Sequence, residues 1–170
     1  MIAIVCGLSE VQRLVAERAP SHVITLLDPS TMIETPRGVA PERHLRLGVN
    51  DINVPMDGMV LADEGAVSSL LEFARTWDET RPILIHCWAG VSRSTASAFA
   101  IACERSPGVD ERHIALALRR AAPHAYPNRR IVGLADRLLS RNGRMLAAIE
   151  AMGDYDDLAA GPFDFPVRHA

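Results

Sequence analysis

The sequence predicts a single α/β domain, with a short, mostly parallel central sheet flanked by helices and a loop joining a buried strand to a buried helix. Short β-rich runs alternate with helical stretches along most of the 170 residues, the pattern of helices packed on a parallel sheet. One run, Pro82-Ile83-Leu84-Ile85, is apolar without alternation, as a strand covered on both faces must be. The composition, 48% hydrophobic and 23% charged, is that of one soluble domain. A chain this long buries roughly 68–70% of its unfolded surface and needs neither metal nor disulfide to hold a core.

In chain order, Ile2 to Cys6 predicts a strand, Glu10 to Arg18 a helix, and His22 to Leu27 a second strand closed by Asp28-Pro29. His44 to Val49 is a third strand. From Val60 to Trp77 the apolar residues Val67, Leu70, Leu71, Ala74 and Trp77 recur at helical spacing, with Asp63 and Glu64 early and Arg75 late, as the helix dipole favours. The strand at 82–85 runs into His86-Cys87. Beyond it, Thr95 to Cys103 is almost wholly small or apolar, a helix buried all round. Three more helices follow: Asp110 to Ala122, Asn128 as cap through Leu139 to an Asn142-Gly143 stop, and Arg144 to Met152. The domain is expected to span 1–153. Asp154-Tyr155-Asp156-Asp157 and Gly161-Pro162 then mark 154–170 as an acidic, irregular tail.

The formal net charge is −3, which argues against a nucleic-acid partner or an anionic membrane surface and makes any affinity for phosphate a local property. All 18 basic residues are arginine. The three cysteines suit a reduced compartment better than a disulfide framework. With no signal-type leader and no apolar run of membrane-spanning length, the expectation is a soluble, cytoplasmic protein.

The chemistry concentrates in His86-Cys87-Trp88-Ala89-Gly90-Val91-Ser92-Arg93-Ser94. At this composition the joint spacing of His, Cys, Gly, Arg and a Ser or Thr has a chance expectation of roughly 7 in 100,000. A loop leaving a strand and entering a helix N-terminus aims unpaired amides at one point, where the helix dipole adds positive potential. Gly90 permits a turn that a Cβ would obstruct, and Arg93 offers a planar fork for two phosphate oxygens. Trp88, Ala89, Gly90, Val91, Ser92 and Arg93 are thus the phosphate-binding positions. Cys87, at the centre of that field, is expected to be a thiolate nucleophile. Ser94 can donate to its sulfur and help it leave again. His86 reads as a core histidine holding the loop.

This segment resembles the signature loop of the cysteine-based protein tyrosine phosphatases, His-Cys-x-x-Gly-x-x-Arg-Ser/Thr, with every fixed position filled. The chain's size and the mid-chain position of the loop resemble the small dual-specificity branch, from about Val49 to Leu139. The resemblance implies a phosphomonoester hydrolase acting through a phosphocysteine, without metal or other cofactor, on a phosphorylated protein or a small phosphate ester. It also implies an aspartic acid some thirty-odd residues before the cysteine, as general acid and base. Asp51, 36 residues before Cys87 at a strand end, is preferred over Asp57, 30 before in Pro55-Met56-Asp57-Gly58.

Two other classes remain open: arsenate or sulfur-transfer chemistry on a similar loop, and a non-catalytic phosphate-binding pseudophosphatase. The His, Gly and Ser positions count against the first, and the presence of Cys, Arg and acid against the second. Elsewhere, Cys6 and Cys103 are expected in the core, and a disulfide from either to Cys87 is a minor reading. Asn128 is expected to cap a helix rather than touch substrate. His113 and His124 show no metal-ligand spacing and are expected at the surface or in caps.

Overall fold

The computed structural model describes residues 1–156 and 160–170. Five strands form one sheet in the order β3-β2-β4-β1-β5: β1 (Ile2–Gly7), β2 (His22–Leu27), β3 (His44–Gly48), β4 (Ile83–Cys87) and β5 (Phe163–Pro166). The first four run parallel; only β5 is antiparallel, against β1. Among the described residues six helices flank the sheet: α1 (Val11–Arg18), α2 (Glu64–Thr76), α3 (Arg93–Arg105), α4 (Glu111–Ala121), α5 (Arg129–Leu138) and α6 (Arg144–Glu150).

The two faces are covered unequally. Among the described residues, one carries α1 as its only helix, whose Val11, Leu14 and Val15 pack on Ile4, Cys6, Val23 and Leu84. The other carries the main core, built around α3, in which Phe99, Ile101 and Cys103 are fully buried together with Ile24, Ile83 and Ile85 of the sheet. β4 is central and buried at every residue, as its uninterrupted apolar run requires. In α3 two buried hydroxyls are satisfied by the turn before them: Thr95 Oγ1 donates to the Val91 carbonyl (2.6 Å) and Ser97 Oγ to the Arg93 carbonyl (2.8 Å). Side-chain caps fix the starts of α2, α4 and α5. Asp63 accepts from the Ala66 amide, Asp110 from Arg112 and Asn128 from Ile131.

Two expectations are corrected. The α2 helix begins at Glu64 rather than Val60, because Val60 is committed elsewhere: its amide donates to Asn50 Oδ1 and its carbonyl accepts from the Asn50 amide, both at 2.8 Å. The segment 154–170 is not irregular throughout. Phe163–Pro166 adds β5 to the sheet edge, Phe165 and Val167 are fully buried, and Arg168 pairs with Glu79 at 2.6 Å. A four-residue strand ending in proline carries too little alternation to be seen locally. Proline is admissible there because an edge strand leaves one side of its backbone unpaired. Of the expected acidic run, Asp157 lies outside the described residues.

Candidate active site

In a parallel sheet all strands deliver their C-terminal ends to one edge, and ligands bind outside that edge. Here the ends of β2, β3 and β4 bring Asp28, Asn50-Asp51 and Cys87 to a common cleft of about 810 Å³, whose lining also includes Trp88, Ala89, Val91, Ser92, Arg93, Tyr126 and Tyr155. Gly90 supports the loop from behind. Its φ is +76°, and a Cβ built there would lie 2.7 Å from the Cys6 carbonyl carbon and 2.8 Å from the Gly7 nitrogen, so the turn lies directly on the backbone of β1.

The loop's carbonyls are held on its outer side. The Cys87 carbonyl accepts from His86 Nδ1 (3.3 Å), Trp88 from the Leu8 amide (3.0 Å), Val91 from the Tyr126 amide (2.9 Å) and Ser92 from the Asn128 amide (3.2 Å). In a trans peptide the N–H points opposite to the preceding C=O. The amides of Trp88, Ala89, Ser92 and Arg93 are therefore turned to the other side, toward the cleft. With the N-terminus of α3 beginning at Arg93, this makes a cradle of oriented dipoles for an anion.

Cys87 Sγ lies in that cradle, 3.2 Å from Ser94 Oγ. Arg93 is buried, and its Nη1 is gripped twice, by the Asp28 carboxylate at 2.7 Å and the Val49 carbonyl at 2.8 Å. That uses both Nη1 hydrogens. Nε is buried without a hydrogen-bond partner among the described residues, so the Nε–Nη2 edge is the fork left for two oxygens of a ligand. Asp51 lines the cleft, and its Oδ1 accepts from Ser92 Oγ (2.8 Å) and Asn128 Nδ2 (2.9 Å). Its Oδ2 is left as the oxygen that can carry a proton. Asp57 sits in an exposed turn, closed by the Met59 amide on the Met56 carbonyl, and does not line the cleft.

His86 is fully buried and its pKa is pushed down to about 4, chiefly by burial, against the pull of the Cys87 carbonyl. It is a neutral imidazole in the core. Cys6 faces the α1 side of the sheet, away from Cys87, and burial pushes its thiol up to about 12, with the Cys87 charge adding. Cys103 is at the far end of α3, its thiol also pushed up by burial. All three cysteines are free, and the opposed faces rule against a Cys6–Cys87 bridge. His124 is a correction: it is buried, edge-to-face with Phe163 at 5.5 Å, whereas His113 is exposed. Asn128 caps α5 as expected, but the same side chain also holds Asp51.

Sequence reasoning missed Asp28, Thr25, His44, Tyr126 and Tyr155. Asp28 and Asp51 share one signal: each follows a strand running parallel to β4, so each emerges at the same end of the sheet as Cys87. Tyr155 belongs to the segment expected to be irregular, and only the packing brings it against Tyr126, with ring centroids 4.8 Å apart.

No protein-family model matches this chain, and no curated protein matches it in sequence. Solved structures do match in shape. DUSP15 superposes with a TM-score of 0.64 at 16% identity, covering 91% of this chain and 93% of its own. PTPMT1 in complex with PI(5)P gives 0.61 at 17% identity, covering 82% and 90%. The Yvh1 phosphatase domain from Chaetomium thermophilum gives 0.58 at 18%, covering 84% and 93%. The chain has the fold of the dual-specificity-type cysteine phosphatases. At these identities the likeness is one of architecture. Within this dual-specificity-type fold, the cleft at the ends of β2, β3 and β4 gathers the thiol, the guanidinium fork and the carboxyl around one point.

Proposed function

We propose that this protein is a phosphomonoester hydrolase of the protein-tyrosine or dual-specificity type, working through a phosphocysteine on Cys87. The observation that carries this reading is the convergence on one cleft of Cys87 Sγ with its Ser94 partner, the half-gripped Arg93 fork and Asp51. The Cys87 thiolate attacks phosphorus while the loop amides and Arg93 hold the equatorial oxygens, whose charge they meet better in the transition state than in the ground state. The ester P–O bond breaks as Asp51 gives its proton to the leaving oxygen. Asp51, now a carboxylate, takes a proton from water as that water attacks the phosphocysteine. The S–P bond breaks, and Ser94 O–H donates to the departing sulfur.

The cleft also speaks to substrate class. Arg93 is the one cation among the described residues that line it, so a second phosphate on a polyphosphorylated headgroup finds no partner. That weighs against an inositide ligand such as the PI(5)P held by PTPMT1. Trp88, Tyr126 and Tyr155, each about half exposed, form aromatic walls that suit a single phosphate on an aromatic or apolar carrier, on a protein or a small ester. Three unpaired thiols suit a reducing compartment, and we place the activity in the cytoplasm.

The test is turnover of para-nitrophenyl phosphate by the purified protein, with inhibition by vanadate. Cys87→Ser should abolish turnover while phosphate binding persists, since the amides and Arg93 are untouched. Appreciable turnover by that variant removes Cys87 as nucleophile, and no turnover by the parent removes the proposal.

A further inference from the structure

Four hydrogen bonds run in file across β4, β2 and β3, from the phosphate loop outward. His86 Nδ1 lies 3.3 Å from the Cys87 carbonyl, and His86 Nε2 lies 2.6 Å from Thr25 Oγ1. The same Oγ1 is 2.7 Å from His44 Nε2, and His44 Nδ1 is 3.0 Å from Thr35 Oγ1. The parallel register makes this possible, for Thr25 sits directly beside His86 and His44 opens β3 alongside β2. Thr25 and His86 are fully buried, while His44 and Thr35 are half-buried. The file therefore starts near solvent and ends beneath Cys87.

Each bond has only one possible direction. A carbonyl accepts and never donates, so His86 carries its hydrogen on Nδ1. Burial keeps both imidazoles neutral, with both pKa values pushed down to about 4. His86 Nε2 is therefore bare and must accept from the Thr25 hydroxyl. That hydroxyl has a single hydrogen, so it must in turn accept from His44 Nε2–H. His44 Nδ1 is then bare and accepts from the Thr35 hydroxyl.

We propose that His44 and Thr35 are positioning residues for the phosphate loop, holding Thr25 as donor to His86 Nε2 and so keeping the His86 ring, and with it the Cys87 carbonyl, in place. The Cys87 carbonyl alone selects the Nδ1–H tautomer of His86, because each hydroxyl of the file donates or accepts equally well. The N–H of His44 holds the Thr25 oxygen so that its single hydrogen points at His86 Nε2. Were His86 to carry its hydrogen on Nε2, a bare Nδ1 would face the Cys87 carbonyl oxygen, and two lone pairs would repel. The carbonyl would then rotate, and the Trp88 amide of the same peptide plane would leave the anion cradle with it. Only the kinetic part of this proposal rests on the phosphatase reading.

Long-range ¹⁵N–¹H spectra of the imidazoles at neutral pH test the wiring directly. The expected result is His86 as the Nδ1–H tautomer and His44 as the Nε2–H tautomer; the reverse for either overturns the proposal. In His44→Phe, which cannot donate to Thr25, the His86 ring signals should shift as the Thr25 hydrogen bond loosens, and kcat/KM on para-nitrophenyl phosphate should fall roughly tenfold, the order expected when a supporting contact is lost. His44→Gln, whose amide N–H can still donate, should recover most of that loss. Unchanged His86 signals in His44→Phe, or equal losses in the Phe and Gln variants, refute the positioning role. Should His44→Phe fail to fold, Thr35→Val serves in its place: the His44 Nδ1 signal should then shift as it loses its donor, and an unchanged one refutes the relay. A parent protein without turnover bears on the proposed function alone, because the spectra judge the relay in either case.

Discussion

Gly90→Ala probes the seat of the phosphate loop. The added Cβ meets three backbone atoms of β1: the Cys6 carbonyl carbon at 2.7 Å, the Gly7 nitrogen at 2.8 Å and the Cys6 carbonyl oxygen at 3.0 Å. None can yield, since β1 is fixed to β4 by the pairs Cys6↔His86 and Gly7↔Cys87. Relief to ordinary contact, 3.4 Å or more, means lifting the loop by about 0.7 Å, an overpacking cost of about 1–3 kcal/mol. Alanine at a φ of +76° adds about 1–2 kcal/mol. For a domain of this size the sum, roughly 2–5 kcal/mol, lowers Tm by about 5–15 °C. The same displacement moves amides and Cys87 out of line, and misplacement on the order of 1 Å costs about 10²-fold in rate. Thermal denaturation followed by circular dichroism, with para-nitrophenyl phosphate turnover measured well below the transition, reads both effects. Gly108→Ala, where nothing lies within 4 Å of the new Cβ, is the control. A Gly90→Ala protein with Tm within about 2 °C and kcat within about threefold of the parent refutes the packing account.

Asp51→Ala should slow hydrolysis of a phosphotyrosine peptide by roughly 10²–10⁴-fold and of para-nitrophenyl phosphate by less, because general-acid help matters most where the leaving group is poor. Asp57→Ala should change neither, and a larger loss there transfers the acid role to it. Asp28→Ala removes one of the two acceptors gripping Arg93 Nη1. For this partly exposed pair that is worth about 1 kcal/mol, so kcat/KM should fall about fivefold; an unchanged value means that the Val49 carbonyl suffices. Stability should fall as the pH drops. His86 and His44 have native pKa values pushed down to about 4, against about 6.5 unfolded. Between these values the unfolded chain binds protons that the native one does not, so stability is full above about pH 6.5 and declines toward pH 4. The loss is on the order of 3 kcal/mol for His86 and less for the half-buried His44. Urea unfolding midpoints that stay flat from pH 7 to 4.5 contradict this.

The sequence by itself determined whatever depends on neighbours along the chain. The periodicity of Val67, Leu70, Leu71 and Ala74 made α2, the unbroken apolar run at 83–85 made the central strand, and the spacing from His86 to Ser94 made the loop. In each, the physical cause lies within one element: a buried face, a cap, a turn that admits only glycine. Tertiary structure decided whatever needed two distant segments to meet. The grip of Asp28 on Arg93, the double hold of Ser92 and Asn128 on Asp51, and the contact of Thr25 with His86 each join residues tens of positions apart. Only the strand order and register set those meetings. The same holds for β5 and for Tyr155 against Tyr126. A four-residue edge strand has no periodicity of its own, and its stability comes from the ladder of β1 and the burial of Phe165, which exist only once the sheet has formed.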